Sequence, residues 1–378
     1  MRLMEIDRRS FVAGVGGVFL SGLGSHRAEA ATHGDVLFAA PRREPDGSFA
    51  ISIFNQDGDI VLSEPLPDRG HDVAICEQKG HFVTFARRAG FFALVLDVFQ
   101  RNEPILLKAS EGRHFYGHGV YSPDGDLLYA TEQDYETARG VLGIYDASDG
   151  YNRIGEISTH GVGPHDLVLT PDGTTLVVAN GGIKTHPDTG RDKLNLSTMQ
   201  PNMALIDRVS GSLIRRLSLP KESHQLSIRH LDIDNAGTVW FGCQHQGELS
   251  EAPSLVGHLK RDEELQLLSM PPSVSMRMEN YVGSVAVNNK TGVVATSGPR
   301  GGLVLFWDSN SGALINEHVL SDGCGLAATE EGFIASNGRG RLVSADPNRL
   351  VAKNLARFAG VAWDNHIART AKPLTIRK

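Results

Sequence analysis

A short apolar strand, a tight turn and a second strand return seven times along this chain, at intervals near fifty residues. That period is the size of one four-stranded blade, so the repeat predicts a ring of blades rather than a layered sandwich. The phrases are RGHDVAI, YGHGVYSPDG, GPHDLVLTPDG, IRHLDIDNAG, YVGSVAVNNKTG, DGCGLAATEEG and FAGVAWDNH. Asp-Gly and Thr-Gly pairs such as Asp124-Gly125, Asp172-Gly173 and Thr291-Gly292 punctuate alternating strands as hairpin turns do, and no helical period of useful length interrupts them.

The expected fold is therefore all-β: a seven-bladed β-propeller of four-stranded blades. A ring of six or eight blades would follow only if a unit had been split or merged. The last unit has an inner strand (Gly360 to Asn365) and too little chain after it for three more, whereas the N-terminal side has three strands to spare, Asp35–Ala40, Ala50–Phe54 and Asp59–Ser63. Pairing them completes the last blade, closes the ring and removes exposed sheet edges.

The first thirty residues read as an export segment. Arg8-Arg9-Ser10-Phe11-Val12 is a twin-arginine pattern, a weakly apolar Gly-rich run follows, and Ala28-Glu29-Ala30 offers a cleavage site. Residues 1–30 are then a signal peptide and 31–378 a single propeller domain. The expected location is the bacterial periplasm, with no membrane span. The formal charge of −7 disfavours nucleic acid and anionic membrane as partners, and a monomer is expected. Three cysteines, Cys76, Cys243 and Cys324, lie far apart with no Cys-x-x-Cys and read as buried free thiols.

Four of the seven phrases carry a histidine at the same register: His71, His118, His165 and His230. With 15 His in 378 residues, chance would put about 0.3 at seven equivalent positions. The other three positions hold Gly283, Cys324 and Ala359. Strand direction alternates within a blade, so the starts of the inner strands and the ends of the second strands share one face. Those ends are polar: Arg87-Arg88, Glu132-Gln133-Asp134, Asn180, Gln244-His245, Arg300, Asn337 and Arg42-Arg43. The 181–202 insertion adds His186, Asp188, Arg191 and Asn195, and reads as an ordered flap; the EGRHFYG link adds Arg113, His114 and Tyr116.

Imidazoles gathered on adjacent blades, beside a carboxylate, match first-row transition-metal ligation. The expected ligands are His118, His165 and His230, then His71 and Glu132, with an iron or copper ion as cofactor and Asp166 or Cys324 nearby. The competing reading is that these polar residues only line a wet channel. His114, Asn180, His186, Arg191, Arg229, Gln244, Arg300 and Asn337 are expected to hold a ligand, an anion among the candidates. His366 falls seven residues past its ring position and is expected toward the far end of the channel. Two other functions suit the same face: a lactonase-like hydrolase using Glu132 and His165 to activate water, and a platform that only docks protein partners.

The segments DRRSF, HFYGHGVYSPDGDLLYATE, GPHDLVLTPDG, NGGIKTHPDTGR, SIRHLDID, GCQHQG, GSVAVN, DGCGLAA and WDNH resemble a family of exported bacterial proteins built on a domain of unknown function. The resemblance covers nearly all of residues 31–378. It implies a propeller encoded beside imelysin-type lipoproteins and a di-haem oxidoreductase-like protein, hence periplasmic iron or copper handling with such proteins as partners. More distantly, HDLVLTPDGTTLVVAN resembles lactonase and surface-layer propellers, which implies fold and no active site.

Overall fold

A computed structural model describes residues 35–374 other than 100 and 191; the export segment and Arg191 lie outside the described residues. Seven antiparallel sheets form the ring. Six begin with the inner strands Gly70–Cys76, Arg113–Tyr121, Pro164–Leu169, Leu226–Ile233, Ser284–Asn288 and Gly323–Ala328, and each runs outward through three more strands in chain order.

The seventh sheet closes the ring as expected. Its three outer strands are Phe38–Arg43, Phe49–Phe54 and Ile60–Leu66, within three residues of the predicted bounds. Its inner edge comes from the other end of the chain, as two short strands, Ala362–Trp363 and Ala368–Arg369. Asp35 and Leu374 also bridge, so both ends of the described chain are tied to the same blade. Among the described residues the single α-helix, Pro272–Arg277, is too short to matter to the architecture, and none of their helices is long and apolar enough to cross a membrane.

The inner and middle strands are largely apolar on both faces, and alternate residues fill the seams on either side, Val177 and Ala179 in one and Leu176 and Val178 in the other. Trp240, Phe241 and Trp307 are sealed in the largest seam cluster, and Phe82, Ile51 and Leu94 in the one beside the ring closure. Each such side chain contributes roughly 1.5–3 kcal/mol of burial. The Asp-Gly hairpins are as read: Gly125 (φ +76°) and Gly173 (φ +72°) occupy the left-handed region that these turns require.

The inner strands are not regular. In the sheet that starts at Gly70, Gly70 pairs with Ala86 and Val73 with Thr84, so His71 and Asp72 face one residue. In the next, Tyr116–His118 face Thr131 alone. His165 is the extra residue between Pro164 and Asp166, and His230 follows an extra Arg229. In the closing blade, residues 364–367 stand opposite only Ala40 and Pro41. A bulge re-aims the side chains around it, and every axial histidine sits in or directly after one.

Candidate metal centre

The bulges bring five imidazoles together at the axis, one more than the register predicted. The ring of His118 lies 4.9 Å from that of His71, 5.0 Å from His165, 6.1 Å from His230 and 4.7 Å from His366. His71 is 4.7 Å and His230 4.8 Å from His366, and His165 is 4.8 Å from His230. All five are buried. The expectation that His366 lies toward the far end is overturned. It assumed a straight last strand, but the bulge at 364–367 folds His366 back into the cluster.

Three sets of side chains bring one ligand atom each within 4.8 Å of one another: His71, His118 and His366; His118, His165 and His230; and Asp72, His118 and Asp166. The cluster could therefore hold a metal ion. The nitrogens are placed for it. His118 Nδ1 lies 3.0 Å from Asp72 Oδ2 and 3.2 Å from Asp166 Oδ1, and His71 Nδ1 lies 3.0 Å from Asp364 Oδ1. A carboxylate behind Nδ1 fixes the tautomer and leaves Nε2 as the free ligand atom. The Nε2 atoms of His118, His165, His230 and His366, and Nδ1 of His230, are buried with no hydrogen-bond partner. Each such atom carries a desolvation cost of about 1–3 kcal/mol, which a bound ion would relieve.

Charge separates the five. Burial above all, then mutual repulsion and, for His165 and His230, nearby Arg229, holds His71, His165 and His230 well below the ordinary histidine pKa; burial likewise brings His366 down to about 4. They are neutral at pH 7 and offer lone pairs. For His118 the burial penalty is outweighed by Asp166 and Asp72, which lift it to about 10. The metal-free cluster thus has one cation at its centre, between two carboxylates. An ion would take the place of its Nε2 proton. Arg229 Nη1 donates to His165 Nδ1 at 3.3 Å, so ligation through His165 Nε2 needs that contact to open.

Glycine at 117 is a requirement of this packing. Its φ is +114°, and a Cβ there would meet His71 Cδ2 at 2.6 Å.

The structure leaves several expected residues away from the imidazoles. Glu132 is fully buried, but its carboxylate accepts from Tyr145 Oη at 2.6 Å and pairs with Arg153 Nη2 at 2.9 Å, among the outer strands of its blade. Gln at 132 would leave Arg153 without its buried partner. Glu132→Gln is expected to cost about 2–4 kcal/mol in urea unfolding. Asn180 bonds Thr159 O and Asn202, and Asn337 organises its own turn through the Arg339 and Arg341 amides. His114 stacks between Tyr116 and Tyr135 with Nδ1 on Phe115 O, and His186 caps the short turn Pro187–Thr189 against Tyr135. Arg113 pairs with Glu156 and Asp134. Cys324 is buried, with its thiol on Asp322 O and its pKa pushed up by burial; Cys76 and Cys243 are buried and free as well.

Above the imidazoles lies a cavity of about 290 Å³. His71, His165 and His230 reach its wall, and so do Arg229, Gln244 and Arg300 from the expected set, with Arg87 and Arg88 from the polar strand ends. The flap contributes Lys193, which the reading of the insertion passed over. The flap is ordered by its own bonds: Asn195 Oδ1 accepts from Lys184 N at 2.7 Å, and Asn195 Nδ2 donates to Gly182 O at 2.9 Å. Sequence reasoning also missed Asp72 and Asp364 as partners of the imidazoles. The His-Asp pairs at 71–72 and 165–166 were the available signal.

Among solved structures, one titled Kuenenia stuttgartiensis hydrazine synthase is similar at 14% identity and a TM-score of 0.58, covering 89% of this chain and 99% of that one. Another, titled crystal structure of mitotic checkpoint complex, is similar at 12% identity and a TM-score of 0.55, covering 76% and 78%. Both likenesses concern the fold alone. No curated protein matches the chain significantly. Residues 64–370 match the model of the family described as "Protein of unknown function (DUF1513)", and the chain, with its propeller and axial histidines, belongs to that family.

Proposed function

We propose that the protein binds one transition-metal ion through imidazole Nε2 atoms at the propeller axis, as an accessory of iron or copper handling in the bacterial periplasm. The observation that carries this is the set of buried, unpartnered Nε2 atoms on His118, His165, His230 and His366, with carboxylates set behind His118 and His71. An ordinary polar channel would satisfy these atoms within the protein or with solvent. An imidazole donor set suits copper or iron better than the hard cations calcium and magnesium. The export pattern Arg8-Arg9 and the family resemblance support the location and the association with imelysin-like or di-haem proteins.

The hydrolase reading has less support. Its expected base, Glu132, is engaged by Arg153 and Tyr145 away from the cavity. Nor does any feature of the described surface favour a role confined to docking.

The test is elemental analysis of the exported protein, purified from periplasm without chelators or a histidine tag. About one equivalent of iron or copper is expected, and its loss in the His230→Ala/His366→Ala double variant. That pair is preferred because His230 and His366 lack the carboxylate partners that anchor His118 and His71. A metal-free protein that takes up neither Fe(II) nor Cu(II) on titration would overturn the reading.

A further inference from the structure

Among the described residues, the wall of the cavity above the imidazoles carries five cationic side chains, Arg87, Arg88, Lys193, Arg229 and Arg300, and no carboxylate. They come from the first, third, fourth and fifth blades of the ring, counted from the one that starts at Gly70, so the positive charge is spread over four of the seven blades. For a protein of net charge −7 this is a local reversal of sign.

Their positions are fixed largely by neutral partners. Arg88 donates to Tyr116 Oη at 3.0 Å and lies 5.3 Å from that ring's centre. Arg300 stands 4.7 Å over the ring of Tyr281. Arg229 donates from Nε to Ser227 Oγ at 2.8 Å. Arg87 leans on a carboxylate, Asp364, which it shares with Arg69 and His71. The cations crowd one another: partial burial first, then the proximity of Arg229, Arg300 and Arg88, holds the Lys193 ammonium below its ordinary pKa. Like charges kept at this spacing by neutral contacts form a site for negative charge.

We infer that this funnel binds a small polycarboxylate anion, whose carboxylates pair with Arg87, Arg88, Arg229, Arg300 and Lys193 directly over the imidazoles. Three features select that class. Guanidinium forks match carboxylates in bidentate geometry. The cations stand on several blades, so a compact oxyanion would reach only some of them, while an anion with carboxylates on separate carbons reaches across. The volume of about 290 Å³ admits a molecule of several carbons and closes out a large one. Because His71, His165 and His230 open onto the same cavity, a carboxylate facing down completes the coordination of an ion held by imidazoles. In that last respect the inference rests on the metal reading; the anion site itself does not.

The experiment is calorimetric titration of citrate into the metal-free mature protein, in parallel with inorganic phosphate and acetate. Citrate is expected to bind one to one, more weakly as salt is raised, and more tightly than either comparison anion. Arg88→Gln and Arg300→Gln are expected to weaken it roughly ten- to a hundredfold each, as loss of a charge-assisted bond does. Both side chains are partly or largely exposed, so the variants fold. No citrate binding at millimolar concentration, or phosphate binding as tightly as citrate, overturns the inference. Iron or copper retention measured in citrate-free buffer reads the other site separately. Metal retained without citrate binding sinks only the anion site, and citrate bound by a protein that takes up no metal sinks only the metal centre.

Discussion

Replacing His118 with alanine is expected to destabilise the metal-free protein by about 3–5 kcal/mol at pH 6–7, the usual cost of removing one partner from a buried ionic group. His118 is almost fully buried, and its Nδ1 sits between Asp72 Oδ2 and Asp166 Oδ1 at 3.0 and 3.2 Å. Alanine leaves two carboxylates facing each other with no cation between them. The pH dependence follows from the shift. Folding raises the His118 pKa from 6.5 to about 10. Its contribution is therefore complete below the unfolded value of 6.5 and lost as pH rises through about 10, at up to about 1.4 kcal/mol per pH unit. The gap between parent and variant, measured by urea unfolding, should be widest near pH 6 and nearly closed at pH 10. A gap that does not change with pH would mean that His118 is neutral and contributes packing alone.

How the centre is reached from sequence shows where local rules stop. The seven blades, the closure by N-terminal strands and the face carrying the histidines are all legible, because each depends on strand period, turn chemistry and chain direction. The side chains that complete the centre are less so. Strand alternation puts adjacent residues on opposite faces, so Asp72 after His71 reads as pointing away from the site, and Asp166 after His165 is expected only in its vicinity and not as a partner of His118. The bulges break that rule. Asp72 and Asp166 reach sideways to His118 on the blade between them, while the other oxygen of Asp166 caps the Leu231 amide of the next blade at 2.9 Å. The same local departure hides His366. Glu132 fails for the opposite reason: its strand is regular, and that regularity turns its carboxylate outward to Tyr145 and Arg153. Bulges depend on pairing partners distant in sequence, so counting along one strand does not find them.

Asp364→Asn should damage both the ring and the metal centre, because one carboxylate serves both. Asp364 belongs to the closing blade, and its oxygens accept from Arg69 Nε at 2.5 Å, Arg87 Nη1 at 3.3 Å and His71 Nδ1 at 3.0 Å, all on the first blade. It is the polar clasp of the seam where the two ends of the chain meet. Arg69 is about half exposed and shielded by water, so most of the effect comes from Arg87 and His71, and a loss of about 2–4 kcal/mol is expected near neutral pH. Burial alone would raise the Asp364 pKa, but the hydrogen bond from His71 and the charges of Arg87 and Arg69 outweigh it and hold the carboxyl far below its usual value. Stability from a depressed carboxyl is present above its unfolded pKa near 3.8 and fades as pH falls below it. The difference between parent and Asp364→Asn should therefore be constant from pH 5 to 7 and shrink below pH 4. The amide can turn its Nδ2 toward His71 and so no longer fixes the proton on Nδ1. Loss of such a supporting carboxylate typically costs ten- to a hundredfold in metal affinity. Competition titration of Cu(II) or Fe(II) against a chelator of known strength would measure it. Unchanged affinity together with the expected loss of stability would remove His71 from the ligands and leave the ion to His118, His165, His230 and His366.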